Sequence, residues 1–195
     1  YAETIHMLGV RFLPSGLSRF IQLPLHELTN QRICADEVTN FFDASFAERL
    51  CEEDNFGDRI KIIEELFIKS LYKYDLQTDP QIAFAIEQIN RHQGKLPVQS
   101  LVEDICLCQR QFERKFKMNT GYTPKIYSRI MQFKNAVDLL RSATCDNLLS
   151  TAVHAGYYDV PHLSREIKRM SGNTPYSFLA LPSPEEEVTL TYVEA

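Results

Sequence analysis

Two short stretches, QRQFERKFK (Gln109–Lys117) and VPHLSREIKRM (Val160–Met170), hold the residues best suited to recognising a charged partner. Written on a helix, Phe112 and Phe116 fall four apart and face inward. Gln109, Arg110, Glu113, Arg114 and Lys117 then point outward. Leu163 and Ile167 play the inward part in the second stretch, leaving Pro161, His162, Arg165, Lys168 and Arg169 outward. A guanidinium donates two hydrogen bonds to a guanine edge, a carboxamide pairs with adenine, and an ammonium suits phosphate. A single such helix reads more simply as a solvated basic face. Two of them raise the question of what sets their spacing.

Other chemistry is poorly served. Cys106 and Cys108 are one residue apart, but a zinc site needs two further ligands, and no His or Cys pair accompanies them. A thiolate at a helix start beside Arg110 gives a redox reading; small residues filling a tight turn give a simpler one. Of the five histidines, His162 lies on the second basic stretch, while His6, His26, His92 and His154 read as surface or packing residues. No Ser/His/Asp grouping, phosphate-binding glycine loop or paired-carboxylate site stands out. The expectation is no catalysed reaction, no cofactor and no metal.

The elements that must position the basic residues repeat. FKMNTGYTP (Phe116–Pro124) and IKRMSGNTP (Ile167–Pro175) share apolar, Lys, Gly and Thr-Pro positions, with the glycines 51 residues apart. At the same offset Phe112 matches Leu163, Arg114 matches Arg165, Lys117 matches Lys168, and Cys108 stands opposite Asp159 at the expected N-cap. Gly ends a helix in the left-handed conformation it alone adopts cheaply, and Thr-Pro caps and starts the next. Each copy anchors one short basic helix, and two helix-turn-helix units are the natural reading.

Upstream, IHMLGVRF (Ile5–Phe12) is a short branched run that predicts a strand, followed by a turn at Pro14–Gly16. Short helices broken at Pro24 and at Asp/Asn-rich joints come next. DRIKIIEELFIKSLYKY places Ile60, Ile63, Phe67, Leu71 and Tyr74 on one stripe of an amphipathic helix. The turn formers of Asp75–Pro80 mark a domain boundary. From Pro80 the pattern is helix after helix: Ile82, Ala85, Ile86 and Ile89 share one face and stop at Gly94, and a long helix from Pro124 is lined by Phe133, Val137 and Leu140.

The 195 residues allow one or two domains. No apolar run approaches the ~20 residues of a membrane span, and the start lacks the marks of an export signal. Five scattered cysteines read as thiols of a reducing cytoplasm. The net charge of −5 argues against nucleic acid until it is divided. Residues 1–79 carry 8 Lys/Arg against 14 Asp/Glu, residues 80–181 carry 13 against 8, and the tail 182–195 has four Glu and no base. Phosphates sense charge within a Debye length, so the segment with the repeat is the part fitted to them.

CQRQFERKFKMNTGYTPKIYSRIMQFKNAVDLL and STAVHAGYYDVPHLSREIKRMSGNTPYSF resemble the DNA-binding domain of AraC-type bacterial transcription regulators, over residues 80–181. GVRFLPSGLSRFIQLPLHELTN and DRIKIIEELFIKSL resemble the later part of an N-terminal domain found on some of these regulators, which implies that the chain begins partway through its sensor. The resemblance implies a mainly α fold: two helix-turn-helix units joined by a long linker helix, preceded by a smaller α+β or helical N-terminal region. It also implies a sensor or dimerisation region at 1–79, a DNA-binding domain at 80–181 and an acidic tail at 182–195. Double-stranded DNA is the implied partner, with RNA polymerase, a small-molecule effector at the N-terminal region and a second copy of the chain as further candidates. Cys106 and Cys108 stand where the family usually has Gly and Ser, Gln132 where Arg is common, and Leu163 and Ile167 where aromatic residues are usual. The overall acidity keeps a rival open, a non-enzymatic helical interaction module that retains the fold without binding DNA.

Overall fold

Helix starts in this chain are written by short polar side chains. Asp43 accepts from the Phe46 N–H at 2.8 Å, Asn55 from Gly57 at 2.8 Å, Asp79 from Gln81 at 3.0 Å, Asn147 from Ser150 at 2.8 Å and Asp159 from His162 at 2.6 Å. Each satisfies an amide that the first helical turn leaves without a partner. The computed structural model describes residues 8–39, 42–74, 79–142 and 147–179. Among them are ten α-helices: α1 (Ala35–Val38), α2 (Ala44–Glu52), α3 (Phe56–Tyr74), α4 (Pro80–Arg91), α5 (Val98–Ile105), α6 (Gln109–Thr120), α7 (Pro124–Arg141), α8 (Leu148–His154), α9 (Val160–Ser171) and α10 (Pro175–Leu179). Two 3-10 turns, Leu17–Arg19 and Leu25–Glu27, precede them.

No strand occurs among the described residues. Of the strand expected at Ile5–Phe12, the first three residues lie outside the described part, and Leu8–Phe12 are irregular. A strand needs an edge to pair with, and no described segment offers one. The turn formers at 75–78 and the acidic tail also lie outside the described residues.

The chain forms two compact units that do not follow sequence order. One joins Phe12–Ile86 to Val102–Pro124. Within it Phe12, Phe20, Phe42 and Phe67 cluster with ring centroids 4.9 to 5.9 Å apart. On α3, Ile63 is buried and Phe67 joins this cluster, but Ile60 is 38% exposed, so the apolar stripe is shorter than its periodicity suggests. Phe112 and Phe116 of α6 are fully buried, one ring edge-on to the other at 5.7 Å.

The other unit joins Glu87–Leu101 to the residues from Lys125 onward. Its core is Ala136, Leu140, Ala152, Ala155, Tyr157, Leu163 and Ile167, with Phe133 and Phe178 packed against it. Val137, expected on the same side, is half-buried. Small Ala152 on α8 and Ala155 just after it let α9 approach closely. Gly94 serves two ends: its N–H closes the end of α4 on the Ile89 carbonyl at 2.8 Å, and its missing side chain admits α7. A β-carbon there would lie 2.0 Å from the Ser128 carbonyl oxygen.

Candidate nucleic-acid interface

The two basic helices end on the same device. Gly121 (φ 84°) and Gly172 (φ 75°) end α6 and α9 in the left-handed region. Their N–H groups return to the carbonyls of Lys117 and Lys168, each at 2.9 Å. At the other end the copies differ. Asp159 caps α9 with its carboxylate, whereas Cys108 occupies the N-cap of α6 and makes no side-chain cap bond. Cys106, in the turn before it, carries φ 56°, a left-handed conformation that only glycine takes without cost.

Of the outward residues expected on α6, Gln109, Arg110, Arg114 and Lys117 are exposed, and Glu113 is half-buried. The Gln109 amide donates to the Glu113 carboxylate at 2.9 Å, so within the free protein these two engage each other. On α9, Pro161, Arg165, Lys168 and Arg169 are exposed. His162 is half-buried, with its ring edge-on to Tyr157 at 5.2 Å and its Nδ1 3.4 Å from the Tyr158 N–H. It turns toward the helix start and away from the fully outward position its spacing suggests.

Charge pairing separates the cations into two groups. Lys61, Lys69 and Arg91 each meet a carboxylate on their own helix. Arg110, Arg114 and Lys117 on α6, with Arg165 and Lys168 on α9, have no carboxylate partner among the described residues. Arg114 and Lys117 correspond to Arg165 and Lys168 at the offset of 51, while Arg110 stands opposite Pro161.

Each helix is also fastened by anchors that periodicity does not announce. Arg129 of α7 donates to Glu166 of α9 through Nη2 at 2.7 Å and Nε at 3.3 Å, and Arg169 reaches the same carboxylate at 3.2 Å. Burial, with the Glu166 carboxylate nearby, pushes the Tyr157 phenol up to about 12, against the opposing charge of Arg129. Gln132, standing where Arg is common, donates from Nε2 to the carbonyls of Ala155 and Gly156, both at 3.0 Å. Lys95 Nζ reaches the His154 carbonyl at 3.2 Å. Together they serve the carbonyls that the end of α8 leaves over. On α6, Lys115 Nζ donates to Asp79 Oδ2 at 2.9 Å and lies 3.2 Å from Gln81 Oε1. Gln81 in turn donates to the Ile105 carbonyl at 2.9 Å. Burial pushes the Asp79 carboxyl up, but the Lys115 hydrogen bond, backbone N–H bonds and the Lys115 charge outweigh it and hold the group below its ordinary value.

Among the described residues no cluster of three or more His, Cys, Asp or Glu could hold a metal ion. Cys106 and Cys108 are exposed free thiols. No described helix is long and apolar enough to cross a membrane.

Two short helices, α5 and α8, lead by tight turns into basic second helices that each end on a left-handed glycine, which is the helix-turn-helix arrangement. Residues 101–180 match the family model described as a helix-turn-helix domain. The matched segment is 80 of the 195 residues, less than half of the chain. No curated protein matches the chain. The xylose-binding transcription activator XylR is similar at 20% identity over 55% of this chain, with a TM-score of 0.48; the match spans 28% of that longer chain. A probable AraC family transcriptional regulator from Rhodopseudomonas palustris is similar at 18% identity over 54% of this chain and 100% of its own, with a TM-score of 0.47. The DNA-binding domain of AdpA, solved with a target DNA, is similar at 22% identity over 53% of this chain and 92% of its own, with a TM-score of 0.48.

Proposed function

We propose that this protein is a sequence-specific regulator that places α6 and α9 in successive major-groove segments on one face of duplex DNA, about one ~34 Å helical turn apart. The observation that carries this reading is the set of five exposed cations, Arg110, Arg114, Lys117, Arg165 and Lys168, without carboxylate partners among the described residues. An exposed cation left unpaired keeps its full charge for phosphate and its donors for base edges. In this reading residues 80–181 bind DNA, residues 1–79 sense an effector or dimerise, and the bound protein governs recruitment of RNA polymerase in the cytoplasm. It catalyses no reaction.

Arg114→Ala and Arg165→Ala test the two-helix placement. Each should weaken specific binding by about 1–3 kcal/mol, the worth of one bidentate base contact. Base preference measured on a random duplex pool should relax at different base pairs for the two variants. Relaxation at the same position in both would show that the helices do not read separate half-sites.

A further inference from the structure

The repeat contains its own control. The turns at Gly121 and Gly172 share sequence and backbone conformation, but their surroundings differ. Gly172 is exposed, and a β-carbon added there would meet nothing within 4 Å. Gly121 is buried, and the same β-carbon would lie 2.9 Å from Thr29 Oγ1 and 3.3 Å from the Leu25 carbonyl oxygen. What covers it is the 3-10 turn Leu25–Glu27, which packs on α6. Leu25 is 8% exposed, and the Thr29 hydroxyl lies 3.3 Å from both the Leu25 and the Gly121 carbonyl oxygens.

The register of the repeat sharpens the contrast. Lys115 and Glu166 are 51 residues apart and so occupy the same place on α6 and α9. Each is an ion-pair anchor to an element earlier in the chain, Lys115 to Asp79 at 2.9 Å and Glu166 to Arg129 at 2.7 Å. That fastening is common to both helices. The cover on the terminal turn belongs to α6 alone, and it comes from a segment 92 residues away in sequence.

We infer that Leu25 and Thr29 are positioning residues for the first DNA-reading helix, so the N-terminal segment sets how one half of the binding site is read and leaves the other half alone. This rests on the DNA-binding reading above. Base contacts are directional hydrogen bonds that weaken steeply with misalignment. A shift of the C-terminal turn of α6 therefore costs discrimination between bases before it costs attraction to phosphates.

The test uses the full chain carrying Thr29→Val, which keeps the side-chain shape and removes the hydroxyl, and Gly121→Ala, which pushes Thr29 away. Gly172→Ala is the matched control, since it adds the same left-handed backbone cost with no neighbour to displace. Two readouts are taken. Without DNA, amide exchange at the end of α6 should quicken several-fold in Thr29→Val while the end of α9 keeps the wild-type rate. With a random duplex pool, Thr29→Val and Gly121→Ala should lose several-fold discrimination at the base pairs that Arg114→Ala alters, and keep it at those that Arg165→Ala alters. Equal loss at both halves, or wild-type discrimination at both, would overturn the inference. So would exchange at the end of α6 that is unchanged in both variants. Absence of any sequence preference in the wild-type protein would instead sink the DNA-binding reading, and the exchange measurement would still report on the cover itself.

Discussion

Glu166 shows how one side chain can decide where charge is spent. Its carboxylate sits on the basic helix α9 yet faces Arg129 and Arg169, and its side chain is 18% exposed. Two cations are thereby engaged by one carboxylate, although the Arg169 side chain stays 55% exposed. Glu166→Gln keeps an acceptor for Arg129 but removes the charge that restrains both arginines. Stability should fall by about 1 kcal/mol, a figure kept small because the Arg129 side chain is a third exposed and partly screened by water. Non-specific affinity for duplex should rise at low salt, and the slope of log K against log salt should steepen by about one as Arg169 gains a phosphate. Urea unfolding and a salt series on random duplex measure the two effects. An unchanged slope would mean that Arg169 does not reach DNA even when released.

Helix ends and buried faces were legible because they are written locally, in windows of a few residues. The left-handed glycines 121 and 172, the Asp159 cap and the buried pairs Phe112/Phe116 and Leu163/Ile167 all follow from spacing along one helix. Anchors between elements were not legible. Lys115 with Asp79 spans 36 residues and Arg129 with Glu166 spans 37, and no local pattern links such partners. Ile60 and Leu8–Phe12 failed for a related reason, since periodicity says which residues could be buried and not whether a neighbour arrives to bury them. One poorly served element end is also local. Cys106 holds φ 56° with a β-carbon, and Cys108 leaves the first amides of α6 without a side-chain acceptor. Cys106→Gly should relieve about 1 kcal/mol of left-handed strain, and Cys108→Ser should add about 0.5–1 kcal/mol by capping. The double variant should therefore raise the urea midpoint without changing the slope. A midpoint at or below wild type would show that the cysteine side chains supply packing that outweighs strain and cap together.

At the scale of the whole chain, an acidic protein carries one basic segment. Residues 80–181 hold 13 Lys/Arg against 8 Asp/Glu, while the residues on either side are acidic. Within that segment carboxylates engage Arg91, Lys115, Arg129 and Arg169 and leave Arg110, Arg114, Lys117, Arg165 and Lys168 without a carboxylate partner among the described residues. Net charge of the whole molecule is then a poor guide to binding, because a phosphate within a Debye length of about 10 Å senses the helix in front of it. Binding of a labelled duplex from low to moderate salt should show log K falling with log salt at about −0.9 per phosphate neutralised. Lys117→Ala should lower that slope by about one and weaken all sequences alike, unlike Arg114→Ala, which alters preference. Removing residues 182–195 takes away four Glu and should tighten non-specific binding modestly at low salt, with the effect fading as salt screens it. A flat dependence in the intact protein would remove DNA as the partner. The exposed cations of α6 and α9 would then belong to an interaction module, and its partner would be an acidic protein surface.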